Sequence, residues 1–252
     1  MGFFDIFKRQ RPDDTAPQTT NKAPEYKPLE KIVPLNAEEL LPFPYRTLDK
    51  SLSDDQLIAE WKGAAREEVQ PLLILEDEQL MELLSRTERL HPQDADKPFI
   101  RERYQAEAAE FLADPDNAPL IGRKGTSGPA MDSLFPEGAS PHAPLILAEV
   151  PCERPWGIFR MIHFGGWNAC PDAEKIADFC QMIHEEFGAV PIMVTGDTLV
   201  LLPGRIPSEE EAFDLALRIW SFCPDMILQE YGTVHALADA LTHSKVWRFQ
   251  WD

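Results

Sequence analysis

Apolar residues recur along this chain with two different periods, and the switches between them mark the elements. From Ser53 onward, Leu57, Ile58, Trp61, Ala64 and Ala65 fall on one helical face, opened by the capping box Ser53-x-x-Gln56. Pro71 to Leu75 is a continuous apolar run, short enough for a buried strand. Asp77 can cap a further helix through Leu80, Met81, Leu83, Leu84 and Leu90. Another follows Pro98 and turns Ile100, Tyr104, Ala108, Phe111 and Leu112 inward, until the Asp-Pro-Asp-Asn-Ala-Pro stretch at 114–119 stops it.

The last hundred residues are the most regular. Leu145 to Val150 and Gly157 to His163 read as two strands, the second running into Phe164-Gly165-Gly166-Trp167-Asn168-Ala169-Cys170-Pro171. Pro171 suits the first position of a helix, in which Ile176, Phe179, Cys180, Ile183 and Phe187 share a face and Gly188 ends the run. Val190 to Thr195 and Thr198 to Leu202 flank Gly196-Asp197, a two-residue hairpin turn. Ser208-x-x-Glu211 opens a helix through Leu215, Ala216, Ile219 and Phe222, and Thr233 caps a shorter one along Val234, Leu237, Ala238 and Leu241. Trp247, Phe249 and Trp251 alternate with Arg248 and Gln250, as in a strand with one buried face. The order β-β-α-β-β-α-α-β predicts an α+β fold, a largely antiparallel sheet with helices packed on it.

Five segments follow from this reading. Residues 1–11 are a short amphipathic unit, 12–50 a proline-rich linker expected to be disordered, and 51–119 the mainly helical start of the body. Residues 120–144 form a Gly/Pro-rich loop and 145–252 the α+β domain. Phe3, Phe4 and Phe7 with Lys8, Arg9 and Arg11 would suit weak contact with a membrane surface or a groove on a partner. Gly122-Arg123-Lys124-Gly125 in the loop is only superficially a phosphate loop, because no Lys-Ser/Thr pair follows the glycine at the required spacing.

Charge narrows the function classes. The net charge is −19, and residues 151–252 alone carry 15 acids against 7 bases. Such a field repels phosphate backbones, so nucleic acid is not an expected partner, whereas a basic protein would be steered toward the surface. The four cysteines, Cys152, Cys170, Cys180 and Cys223, form no C-x-x-C pair and no zinc spacing. With no signal peptide and no transmembrane-length run, the expectation is a reducing, cytoplasmic compartment.

Five features together, Phe164-Gly-Gly-Trp-Asn168, Cys170-Pro171, Gly196-Asp197, Cys223-Pro224-Asp225 and the closing Trp-x-Phe-x-Trp-Asp, resemble an uncharacterised bacterial domain family known only as a domain of unknown function. The resemblance covers roughly residues 145–252 and implies no activity, cofactor or site residue.

The candidate chemistry centres on the glycine turn. Cys170, before a predicted helix N-terminus, would be a nucleophile with His163 as its base and Asn168, Asp172 or Asp197 orienting the ring. Trp167, Asn168, Gly165 and Gly166 would line the binding site, with backbone N–H groups as an oxyanion hole. The same residues also make a good structural turn, and that reading is favoured: glycines for the bend, Asn168 for the helix-start amides, Cys170 for a small apolar gap. No metal or other cofactor is expected. The expectation is a cytoplasmic, non-enzymatic acidic interaction module, conceived as neutralising a basic partner such as a toxin. A thiol-dependent enzyme at Cys170 is the alternative, membrane recruitment through the N-terminal segment the weaker one, and oligomeric state is left open.

Overall fold

The computed structural model describes residues 41, 43–75, 101–136 and 144–251. Six strands form one sheet: β1 (Tyr45–Leu48), β2 (Gln70–Leu75), β3 (Leu145–Val150), β4 (Val190–Val194), β5 (Thr198–Leu202) and β6 (Trp247–Gln250). Their spatial order is β1-β3-β2-β4-β5-β6, and every pairing is antiparallel except β2 with β4. The fold is therefore α+β with a largely antiparallel sheet, as the sequence implies.

β2 to β5 are apolar runs because both of their faces are covered: Leu72, Leu73, Ile74, Leu147, Val194 and Val200 are all fully buried. β6 has one buried face, with Trp247 and Phe249 inside and Arg248 and Gln250 half-exposed. That inner face packs against helices α5 (Ala173–Phe187) and α6 (Glu209–Phe222). Phe179 and Phe222 stack at 3.7 Å and both meet Phe249 edge-on. Helix α1 (Asp54–Ala64) is fastened to β2 by the Trp61 indole, which donates to the Pro71 carbonyl at 2.7 Å. Helix α2 (Arg101–Ala113), followed by the one-turn α3 (Ala118–Ile121), meets α5 through the Tyr104–Phe179 ring contact and α6 through Phe111–Trp220. The capping boxes at Ser53 and Ser208, and the cap of helix α7 (Val234–Leu241) by Thr233, form as read from the sequence.

Several expectations are corrected. Gly157–His163 is not a strand: Pro155–Gly157 is a 3-10 turn that continues into the one-turn helix α4 (Ile158–Met161). Pro155 starts that turn, and Ile158, Phe159 and Ile162 bury at i, i+1, i+4 spacing; short apolar runs do not distinguish this from alternation. Tyr45–Leu48, expected at the end of a disordered linker, forms β1 through long-range pairing with β3, reinforced by the Glu149 N–H donating to the Pro44 carbonyl at 2.8 Å. Leu112, expected inside, is 44 % exposed. The segment 1–11, most of 12–50 and the helix expected after Asp77 lie outside the described residues.

The Gly/Pro-rich loop is a strap where it is described. Gly128 N–H donates to Asp239, Leu134 N–H to Asp54 on α1, and Met131 N–H to Ser244, at 2.8–3.0 Å. In return the Met131 carbonyl accepts from Lys245 and Val246, and Arg248 donates to the Ser133 carbonyl. Gly128 could carry no side chain, since a Cβ would stand 2.1 Å from the Ala236 carbonyl.

Candidate functional site

The motifs noted along the last hundred residues, dispersed in sequence, meet at one end of the sheet around Trp251, which is 1 % exposed. Its ring lies 6.3 Å from Phe164, 6.4 Å from Trp167 and 5.4 Å from Phe222. Its indole donates to the Phe222 carbonyl at 3.4 Å, and its backbone N–H to the Asp197 carbonyl at 3.0 Å. Next to it, the Gln250 side chain donates to Asp197 while the Gln250 carbonyl accepts from the Cys223 thiol at 3.2 Å. The Asp197 carboxylate also accepts from the hydroxyls of Thr195 and Thr198 at 3.1 and 2.8 Å. The Gly-Asp hairpin, the Cys-Pro-Asp corner and the terminal strand are thereby tied together.

The glycine turn closes on itself. Gly166 N–H donates to the Pro171 carbonyl at 2.9 Å and Cys170 N–H to the Trp167 carbonyl at 2.8 Å. Gly165, at φ +105°, packs so tightly that a Cβ would lie 2.1 Å from the Pro171 oxygen and 2.7 Å from Ile176. Gly166, at φ +85°, is exposed and has open space where a Cβ would stand. Asn168 holds a left-handed φ of +44°, a conformation this residue tolerates. Helix α5 begins later than expected: Asp172 is its cap, accepting from the Lys175 N–H, so Pro171 precedes the cap instead of opening the helix.

The expected catalytic pair is not poised for thiol chemistry. Cys170 is 5 % exposed, and burial pushes its thiol well above the ordinary range, outweighing a favourable Gly166 amide contact. The helix N-terminus that would have favoured a thiolate is occupied by Asp172, whose charge also raises the thiol. His163 Nδ1 is buried and makes no hydrogen bond, so that nitrogen takes no proton from the thiol. Trp167 Nε1 is likewise buried and unpartnered. Of the predicted site residues the turn gathers Gly165, Gly166, Trp167, Asn168 and Cys170 without joining His163 to the thiol. Among the described residues, no three His, Cys, Asp or Glu side chains are grouped to hold a metal.

A cleft of about 400 Å³ beside α1 was not legible in the sequence. Arg46 and Glu60 pair across it, as do Arg66 and Glu149, so its charges are balanced by its own walls. Glu149 is the single charged residue in an otherwise apolar β3, which is the one sequence sign of it.

Sheet and turn together define an α+β domain organised about an aromatic sheet end. Residues 146–252 match the model of a family described as a domain of unknown function (DUF4253). No curated protein and no solved structure matches the chain. The matched span supplies β3 to β6, whereas β2, lying between β3 and β4, comes from upstream.

Proposed function

We propose that this protein is an acidic interaction module that holds a basic protein partner, of which a neutralised toxin is one instance. The observation that carries the reading is the charge of the folded body. The arginines 46, 66, 101, 103, 205 and 218 are each engaged by carboxylates, and the exposed Glu102, Glu110, Asp114, Asp116, Glu209, Glu210 and Asp214 outnumber the exposed Lys62, Arg123, Lys124, Arg154 and Lys245 in the outer field. Complementary charge speeds encounter and selects partners more than it adds affinity, so the interaction should be strongly salt-dependent. The alternative of a thiol-dependent enzyme draws no support from a buried Cys170 whose thiol is raised well above its ordinary range. Among the described residues no helix is long and apolar enough to cross a membrane, and the N-terminal segment invoked for recruitment lies outside them.

The test is capture of proteins from the source cell on the immobilised full chain, beside a Glu209→Gln, Glu210→Gln, Asp214→Asn variant. The reading expects a discrete basic protein, retained at low salt, released as salt rises, and retained less by the variant. No retained protein at low salt, or equal retention by both chains, would refute it.

A further inference from the structure

The cleft of about 400 Å³ beside α1 is walled by four charged side chains whose signs alternate. Arg46 stands opposite Leu147 in the β1–β3 register and Glu149 lies two residues further on. Their side chains therefore leave the sheet on one face, as diagonal neighbours. Arg46 nevertheless pairs with Glu60 on α1, and Glu149 with Arg66 just after that helix. The charges thus run Glu60, Arg46, Glu149, Arg66: minus, plus, minus, plus.

All four stand on rigid supports. Arg46 and Glu149 belong to the sheet and Glu60 to α1, while the Arg66 backbone exchanges hydrogen bonds with Val69 at 3.3 and 3.1 Å. The pairing also leaves bonding capacity over. Among the described residues, Glu60 and Glu149 each accept through Oε2, which leaves both Oε1 atoms. Arg46 donates through Nη2, which leaves the Nε and Nη1 edge of its guanidinium. The wall supplied by α1 is made of small residues, Ala59, Gly63 and Ala64. A Cβ on Gly63 would meet no atom within 4 Å, so there is room beside the charges. The volume falls within the roughly 300–1,000 Å³ of small-molecule sites.

We propose that this cleft binds a free α-amino acid as its zwitterion, the carboxylate on the Arg46 guanidinium and the ammonium on the spare oxygens of Glu60 and Glu149. A simple anion gains from the arginines but meets two carboxylates and the field of a chain of net charge −19. A simple cation gains from the carboxylates but meets two guanidiniums. A zwitterion answers both signs and brings no net charge, and its carboxylate matches the two-donor edge of an arginine. Arg46 and Glu149 are diagonal neighbours with long side chains, so the ligand's two charges must stand close together, as they do on one α-carbon. Ala59 and Ala64 form a shallow apolar wall that suits a short side chain. The inference is independent of the basic-partner reading, because the ligand is neutral overall and Glu209, Glu210 and Asp214 do not line the cleft.

The test is an NMR titration of the full chain with L-alanine near neutral pH, where it is a zwitterion, following backbone amides and arginine Nε–H resonances. Propionate and ethylammonium at matched ionic strength serve as its two halves. The wall charges are partly exposed, so the titration extends through the millimolar range. The expected result is a saturable shift at Gly63, Ala64, Arg66 and the Arg46 Nε–H, with a response to either half about tenfold weaker. Gly63→Leu fills the cleft without altering its charges and should abolish the response. Its denaturation midpoint should stay at or above that of the unsubstituted chain, because leucine is the better helix former. Arg46→Gln should weaken the response. No saturable shift with L-alanine, an equal response to propionate or ethylammonium, or a response that survives in folded Gly63→Leu overturns the proposal. The titration of the unsubstituted chain with L-alanine and its two halves decides even where a variant fails to fold.

Discussion

Two adjacent glycines in one turn offer a controlled comparison, because both have positive φ and only one is crowded. Alanine at Gly166 meets no atom within 4 Å, so its cost is the backbone term alone, about 1–2 kcal/mol for an L-residue held on the left-handed side. Alanine at Gly165 carries the same term and also a Cβ 2.1 Å from the Pro171 oxygen, where van der Waals contact needs about 3.5 Å. The carbonyl must retreat by more than an ångström, and the 2.9 Å bond it accepts from Gly166 N–H goes with it. Overpacking of this kind costs about 1–3 kcal/mol and a broken hydrogen bond about 1 kcal/mol more. Gly165→Ala should therefore lose about 3–6 kcal/mol, a large share of the roughly 5–15 kcal/mol by which domains are stable. Guanidinium unfolding followed by far-UV circular dichroism measures both variants with the same slope. Midpoints that coincide for the two, or a lower midpoint for Gly166→Ala, would refute the reading of Gly165 as a packing glycine.

Arg218 is buried and grips Glu186 through two 2.8 Å bonds, while Arg101 reaches the same carboxylate at 3.1 Å. Arg218→Met should cost about 2–3 kcal/mol, less than a wholly orphaned charge because Arg101 remains, and Glu186→Leu added to it should recover part of the loss in denaturant midpoints. Iodoacetamide mapped by mass spectrometry should modify half-buried Cys152 before Cys170, Cys180 and Cys223; early labelling of Cys170 would revive thiol chemistry. Burial pushes the Cys180 thiol upward from about 9, so the stability it contributes is full below that value and falls as pH rises through it; in pH-dependent unfolding above about pH 9, Cys180→Ala should flatten the decline. Conversely, Arg205 and the Ser208 amide hold Glu211 down at about 2, a contribution present above about 4.5 and lost on acidification, readable as a low carboxyl midpoint by NMR. Ile74→Asp, placing a charge in a fully buried central strand, should abolish cooperative unfolding of the whole described body, including the part that matches the family.

Local chemistry was the legible part of this fold. Ser53, Ser208 and Thr233 each satisfy helix-start amides within three residues of themselves, so the information lies within a short window. The Gly196-Asp197 turn and the alternation at Trp247–Trp251 are local in the same way. Glu211 shows the limit of such reading: its pairing with the Ser208 N–H was implied by the capping box, but the two bonds from Arg205 depend on where the chain returns. β1 was missed because a four-residue strand with two exposed members exists only by pairing with β3, about a hundred residues away. The segment 157–163 was misread because Ile158, Phe159 and Ile162 fit either period over so short a run.

The candidate site failed to be legible for a different reason. Gly165, Trp167, Asn168 and Cys170 were singled out by type, and type alone cannot separate a nucleophile from a buried filler. What decides is the other side of each contact: Ile176 against Gly165, Trp251 against Trp167, a capped helix start beside Cys170. Ile176 and the Asp172 cap lie a short way down the chain but their placement depends on how the turn closes, Trp251 is distant in sequence, and one of the structural prerequisites lies outside the family match altogether. β3 and β4 of the matched region do not touch as neighbours; β2 separates them, antiparallel to one and parallel to the other. Leu73 and Ile74 bury both faces of that slot, so the Trp251 sheet end rests on a sheet that residues 146–252 cannot complete in this arrangement. The unit that positions the glycine turn is thus longer than the unit by which the family is recognised.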